Sequence, residues 1–226
     1  MKTINGINVL NSLEEFADPE RAALVVIDMQ NDFCHPNGLY AQCGKDIAST
    51  VAIVPGTLAL ARAAQTSGVL CVFVRQQTLP NNESDSPAWL RFKCRDGKRP
   101  EYTLKGSWGA EFVDGLVPGP NDLVIEKFRP DAFVKTSIDR LLRARGIESL
   151  IVLGTSTEGC VESTVRGGSY HDYYVVVVGD LVSSCNPVLH EGSLRLMQAR
   201  YPIATAAQIR GVWHGALKTE TMEERP

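Results

Sequence analysis

Three residues of the kinds that move protons or attack carbonyls stand where short β-branched runs end. Asp28 closes one run, Lys127 closes another, and Cys160 lies just past the end of a third. In an open parallel sheet ligands collect outside the carboxyl ends of the strands, so groups that end separate strands share one edge. The stretch 154–161, Gly-Thr-Ser-Thr-Glu-Gly-Cys-Val, joins a strand to a helix. A thiol near a helix start meets the positive end of the helix dipole, which favours thiolate, and a neighbouring Lys127 adds a full positive charge. Backbone N–H groups left free at the same helix start can hold a developing oxyanion. If Asp28 touches both Lys127 and Cys160, it can take the thiol proton and later pass it to a leaving amine. The four histidines, His35, His171, His190 and His214, do not clearly end core strands, so a Cys–His dyad is not the natural reading. Taken singly, Asp28 reads as a cap or turn residue, Lys127 as a solvated strand end and Cys160 as a small buried filler. Their combination favours chemistry.

The elements that must position these groups alternate. Apolar, β-branched runs at 22–28, 69–75, 122–127, 149–154 and 174–179, with a weaker one at 202–205, read as strands covered on both faces. Helical patterns fill 47–67, stopping near Gly68, and 136–145, 158–172 and 188–200. This alternation predicts an α/β fold with a doubly wound, mainly parallel sheet of about six strands. Residues 76–109 break the rhythm with Pro80, Asn81, Asn82, Pro87, Gly97 and Pro100, and are expected to form a long irregular insertion. With no internal repeat and no dividing linker, 1–226 is expected to be a single domain whose polar tail, 219–226, frays.

Composition sets further bounds. The net charge of −3 carries no electrostatic footprint for nucleic acid. No apolar run approaches a membrane span, and residues 1–16 do not read as a secretory signal, so the expected location is cytoplasmic. The six cysteines include no C-x-x-C pair and are expected to be free thiols in a reducing compartment.

The segments LVVIDMQNDF at 24–33 and GTSTEGCVEST at 154–164 resemble the isochorismatase-like cysteine hydrolases, and the likeness runs over about 21–205. The resemblance implies an Asp–Lys–Cys triad at Asp28, Lys127 and Cys160. It implies a cis peptide between Thr155 and Ser156 that aims the Ser156 N–H, beside that of Cys160, at the substrate oxygen. It also implies a three-layer α/β sandwich and a homo-oligomer, dimer or tetramer. The stretch 105–108 through 116–118, then 122–127, looks like the ureidoacrylate branch. The nucleophile loop is similar to those of N-carbamoylsarcosine amidohydrolase and maleamate amidase, and biuret and triuret hydrolases share the plan. The expected activity is therefore hydrolysis of a small amide or ureido C–N bond. The alternatives are vinyl ether hydrolysis of the isochorismatase type and a non-catalytic member.

Phe33 and His35 are expected to line one wall of the pocket. Arg75 either binds a substrate carboxylate or carbonyl, or pairs with a surface acid. Gln76 and Gln77 are candidates to read the amide edges of a urea-like substrate. Trp108 folds over the pocket or anchors its loop. Glu158 departs from the small or neutral residue often found there, and either binds a substrate N–H or caps the helix and faces solvent. Nicotinamidases of this superfamily carry a metal-binding Asp-x-His after the second strand. Here residues 74–80 hold no histidine, and the Cys34, His35, Cys43 spacing is not a zinc pattern, so neither a metal nor an organic cofactor is expected.

Overall fold

The computed structural model describes residues 1–94 and 101–223. It opens with a hairpin that strand-length patterning overlooks, β1 (Lys2–Ile4) and β2 (Ile7–Val9), paired antiparallel. Asn5 and Gly6, with φ of 49° and 81°, make its turn, and Asn-Gly is the pair best suited to two consecutive positive φ angles.

The central sheet holds β3 (Ala22–Ile27), β4 (Leu70–Gln76), β5 (Leu123–Lys127), β6 (Ser149–Thr155), β7 (Tyr174–Ser183) and β8 (Ile203–Ala204). Their order is β5-β4-β3-β6-β7-β8, and every neighbouring pair is parallel. All residues of β3 and β6 are buried, which is why those runs are apolar throughout rather than alternating. One core packs Leu24, Val26, Phe73 and Leu153 against Leu60 and Trp213. The other packs Val25, Ile27, Val74 and Val152 against Leu142, Val165 and Met197. The helices Val54–Thr66 and Ala206–Glu223 thus cover one face, while Ile138–Arg143, Glu162–Tyr170 and Pro187–Gln198 cover the other. The result is a three-layer α/β sandwich.

From β3 the chain winds outward through β4 to β5, then returns to pair β6 beside β3 and winds the other way. The switch point between β3 and β6 is where the crevice of a doubly wound sheet opens. The two strands approach closely there. Gly154 has φ of +123°, and any Cβ on it would overlap the Ile27 carbonyl oxygen.

Three expectations change. The pattern at 47–67 is two helices, Ala48–Ala52 and Val54–Thr66, the second starting with Pro55 in its first turn. Residues 76–109 are less irregular than their composition implies. They begin with the last residue of β4 and include the helix Pro87–Lys93, capped by Ser86, and short 3₁₀ turns at Pro80–Asn82 and Trp108–Ala110. Gly97 and Pro100 lie outside the described residues. The last helix continues to Glu223, through positions expected to fray, and 224–226 lie outside the described residues. Among the described residues no helix is long and apolar enough to cross a membrane.

Candidate active site

Strand register brings the first two groups together. Gln76 and Lys127 are paired across β4 and β5, and each follows a core residue, Val74 or Ile125, by two positions. Side chains two apart share a face, so both point into the layer where Cys160 packs. Asp28 leaves β3 with φ of +51°, a turned backbone held by its N–H donating to the Val74 carbonyl at 2.9 Å. The Lys127 ammonium then donates to Asp28 Oδ2 at 2.7 Å, to Gln76 Oε1 at 3.0 Å and to Cys160 Sγ at 3.1 Å. Lys127 is 0% and Asp28 1% exposed, so this ion pair is out of water. The other Asp28 oxygen, Oδ1, is buried and has no partner among the described residues.

Cys160 does not sit in a regular α-helix start. Residues Thr157–Val161 form a π-helical turn, in which the Val161 N–H donates to Ser156 O at 3.1 Å, and the α-helix begins only at Glu162. The Thr155–Ser156 peptide is cis. The Ser156 amide, between strand and turn, has no hydrogen-bond partner among the described residues.

The electrostatics run against the pull toward thiolate that the helix start and Lys127 exert. Burial is the largest influence, the Asp28 carboxylate adds to it, and together they outweigh the Lys127 ammonium. The Cys160 thiol is pushed up to about 12. For Lys127, burial opposes the charge, but Asp28 and Cys160 prevail and its pKa is raised. The resting site therefore holds a neutral thiol beside a charged lysine.

The remaining candidates divide. Phe33 is buried and packs against Tyr40 at 4.8 Å and Tyr102 at 5.8 Å between ring centres. Burial raises both tyrosines, and each also feels Cys160 and Asp28, which places this aromatic group beside the triad. Neither tyrosine was singled out in the sequence, since nothing local marks them. Gln76 reaches the triad, but its oxygen is taken by Lys127 and its amide nitrogen donates to Gln77 O at 3.1 Å. Arg75 points to the opposite sheet face, where it pairs with Glu126 at 2.5 Å and lies 5.9 Å from the Phe112 ring centre. The surface-acid reading of Arg75 is the one observed, because side chains alternate along β4. His35 and Trp108 pack edge-to-face at 4.9 Å, and among the described residues neither bonds to the triad. Trp108 is 47% exposed, so it anchors its loop against His35 rather than folding over the site. Glu158 turns inward, not to solvent. Its Oε1 accepts from Ser184 Oγ at 2.9 Å, and Oε2 is buried without a partner among the described residues.

Three polar residues just past Asp28, at 30–32, were overlooked. Gln30, Asn31 and Asp32 are all buried. Gln30 donates to Gln76 O and Ala110 O, Asn31 donates to Trp108 O at 2.9 Å, and Asp32 accepts from Leu39 N–H and Thr103 N–H. These bonds fasten the return of the long insertion onto the edge of the sheet. The signal was a polar run, Gln-Asn-Asp at 30–32, separated by two residues from the end of a fully apolar strand, where a solvated loop is the ordinary interpretation.

An isochorismatase domain matches residues 22–208. The fold is similar to that of a cysteine hydrolase from Pseudomonas syringae pv. phaseolicola, with TM-score 0.76 and 24% identity over 88% of this chain and 95% of that one. It is also similar to N-carbamoylsarcosine amidase from Thermoplasma acidophilum, with TM-score 0.65 and 26% identity over 82% and 96%. A zinc-complexed pyrazinamidase from Pyrococcus horikoshii matches with TM-score 0.69 and 27% identity over 83% and 99%. Among the described residues no three His, Cys, Asp or Glu side chains are grouped to hold a metal, and Cys34 is buried while Cys43 is exposed.

Proposed function

The chain belongs to the isochorismatase domain family, and from that premise we propose that it is a cysteine-dependent amidohydrolase cleaving a C–N bond of a small ureido or amide compound. The observation that carries this reading is one buried ammonium within hydrogen-bond reach of both a carboxylate and a thiol, Lys127 on Asp28 and Cys160. A structural ion pair has no use for a sulfur as its further acceptor.

In this reading Asp28 Oδ1, the buried oxygen without a partner, takes the thiol proton as Sγ attacks the carbonyl. A thiol held at about 12 does not ionise in advance, so proton transfer accompanies attack. The Ser156 and Cys160 N–H groups receive the oxyanion. Protonated Asp28 gives its proton to the leaving nitrogen, the C–N bond breaks, and ammonia or an amine departs from a thioester or thiocarbamate. Water then adds, losing its proton to Asp28, and the sulfur is released and reprotonated. Lys127 stays charged throughout and balances whichever neighbour carries the anion. Phe33, Tyr40 and Tyr102 supply the apolar wall, and Glu158 is proposed to meet a substrate N–H. The family resemblance also supports a homo-oligomer, to which Val188, Leu189 and Leu196 would contribute, since all are exposed on one helix. Light scattering of the purified chain tests that.

The enzymatic test is ammonia release from biuret, triuret, ureidoacrylate, N-carbamoyl amino acids, maleamate and nicotinamide, each beside Cys160→Ala. Release from at least one, lost in Cys160→Ala with the circular dichroism spectrum unchanged, is expected. Release that persists in Cys160→Ala rules the thiol mechanism out. Pyruvate release from isochorismate without any ammonia would assign the protein to vinyl ether hydrolysis instead.

A further inference from the structure

Lys127 offers three N–H donors and has three acceptors, of which only two belong to the triad. The third is Gln76 Oε1 at 3.0 Å. We infer that Gln76 is a positioning residue for the reaction: its side-chain oxygen holds the Lys127 ammonium between Asp28 and Cys160 and keeps it off the second Asp28 oxygen. The inference rests on the reading of Cys160 as the nucleophile.

The orientation of the Gln76 amide is fixed by its partners. Lys127 can only donate, so the oxygen must face it, and the Gln77 carbonyl can only accept, so the nitrogen must face that. The oxygen is thus committed to Lys127 and one of the two amide N–H groups to Gln77. The Gln76 backbone is itself clamped. Gln30 Oε1 accepts its N–H at 2.8 Å, and Gln30 Nε2 donates to its carbonyl at 2.9 Å and to Ala110 O at 2.7 Å. Both glutamines are buried, so these bonds do not exchange with water. The chain of contacts runs from the insertion, through Gln30 and Gln76, to Lys127.

The consequence follows from what Lys127 would do without that oxygen. A buried ammonium that loses an acceptor seeks another, and Asp28 Oδ1, on the carboxylate that Lys127 already holds, is unpartnered. Chelation by both Asp28 oxygens would block the oxygen proposed to receive the thiol proton and draw the ammonium from the sulfur. Among the described residues the titratable groups that act on this pair are these. Asp131, raised by burial, feels Lys127. Tyr40 and Tyr102, raised by burial, feel Cys160 and Asp28, and Cys34, likewise raised by burial, feels Asp28. None is a cation that could take over from Lys127.

The test follows the thiol directly and needs no substrate. Cys160 is labelled with iodoacetamide at about pH 8, below its thiol pKa, in the wild type, Gln76→Met and Gln76→Glu. Peptide mass spectrometry reads Cys160 against exposed Cys43 in the same digest. Gln76→Met removes the acceptor at nearly constant volume, and Cys160 labelling is expected to slow roughly fivefold, the size of one net hydrogen bond. Gln76→Glu keeps an acceptor but sets a second carboxylate by the sulfur, and labelling is expected to slow about tenfold or more. Cys43 labelling should hold in all three proteins, and an unchanged circular dichroism spectrum shows that each variant is folded. With an amide substrate, kcat falls while KM stays. Equal Cys160 labelling in all three proteins overturns the inference, and a raised KM with unchanged labelling would do so by making Gln76 a substrate contact. Amide hydrolysis that persists in Cys160→Ala overturns the nucleophile reading, and this inference with it.

Discussion

Replacing Lys127 by Met tests the buried site through stability alone. The pair is 0% and 1% exposed at 2.7 Å, so the carboxylate has no water to fall back on when the ammonium is removed. Breaking a buried pair by deleting one partner costs about 3–5 kcal/mol, because the remaining charge is left uncompensated. The Gln76 oxygen and the Cys160 sulfur lose their donor as well, but these groups share one network and their losses do not add. Taking about 3–5 kcal/mol, Tm should fall by about 6–20 °C for a chain of this size. The double variant Asp28→Asn, Lys127→Met removes the orphaned charge and should recover most of the loss, returning to within about 2 kcal/mol of wild type. Urea melts followed by circular dichroism give the cycle. A Lys127→Met protein within about 1 kcal/mol of wild type, or a double variant no better than the single, would refute the claim that the two charges depend on each other inside the fold.

Cys160 alkylation should climb about tenfold per pH unit from pH 7 to 10 with no plateau, since its thiol sits at about 12; a plateau near neutrality would mean a resting thiolate. Gly154→Ala should fail to give folded protein, judged by circular dichroism and gel filtration, because its Cβ would overlap the Ile27 carbonyl at a φ of +123°. Burial works against the charge on Glu126, but hydrogen bonds from Lys105 and Arg75 outweigh it and lower its pKa. Its contribution is present above the unfolded carboxylate pKa and lost as pH falls through the lower folded value, so Glu126→Gln should flatten the acid limb of a Tm-versus-pH curve below about pH 4.5 and leave Arg75 less protected.

The fold was legible because the inner strands of its sheet are buried on both faces. The inner runs stand out because they must fill two cores, while the edge strands β5 and β8 are only partly buried, and the breaks between the runs fall within a residue or two of the observed ends for most strands. β7 ran longer than expected, to Ser183, because Gly179 and Asp180 interrupt the apolar run while the backbone pairing continues past a register shift. The triad was legible for a related reason. Strand ends are fixed by pattern, and a parallel sheet brings its carboxyl ends together whatever the loops do. What the sequence did not show are residues whose partners lie far along the chain. Gln30 finds Ala110, Asp32 finds Thr103, and Tyr102 comes to the site from an insertion that composition marks only as irregular. Arg75 and Gln76 are neighbours with opposite fates, and only the register of β4 against β5 decides which of them meets Lys127.

The protonation of the thiol was the least legible property, for a physical reason. Motif position gives the sign of each nearby charge, and both the helix start and Lys127 argue for thiolate. Burial has no sequence signature at this position, and here it is the largest influence. Asp28 adds to it, so the carboxylate needed as a base also keeps the sulfur protonated until it is used. The two requirements are compatible only if the carboxylate retains an oxygen free to accept that proton. Lys127 occupies Oδ2 alone, and Gln76 takes the donor that would otherwise reach for Oδ1. A buried lysine with three fixed acceptors thus does more than balance charge: its geometry leaves the base open on the side where the thiol waits.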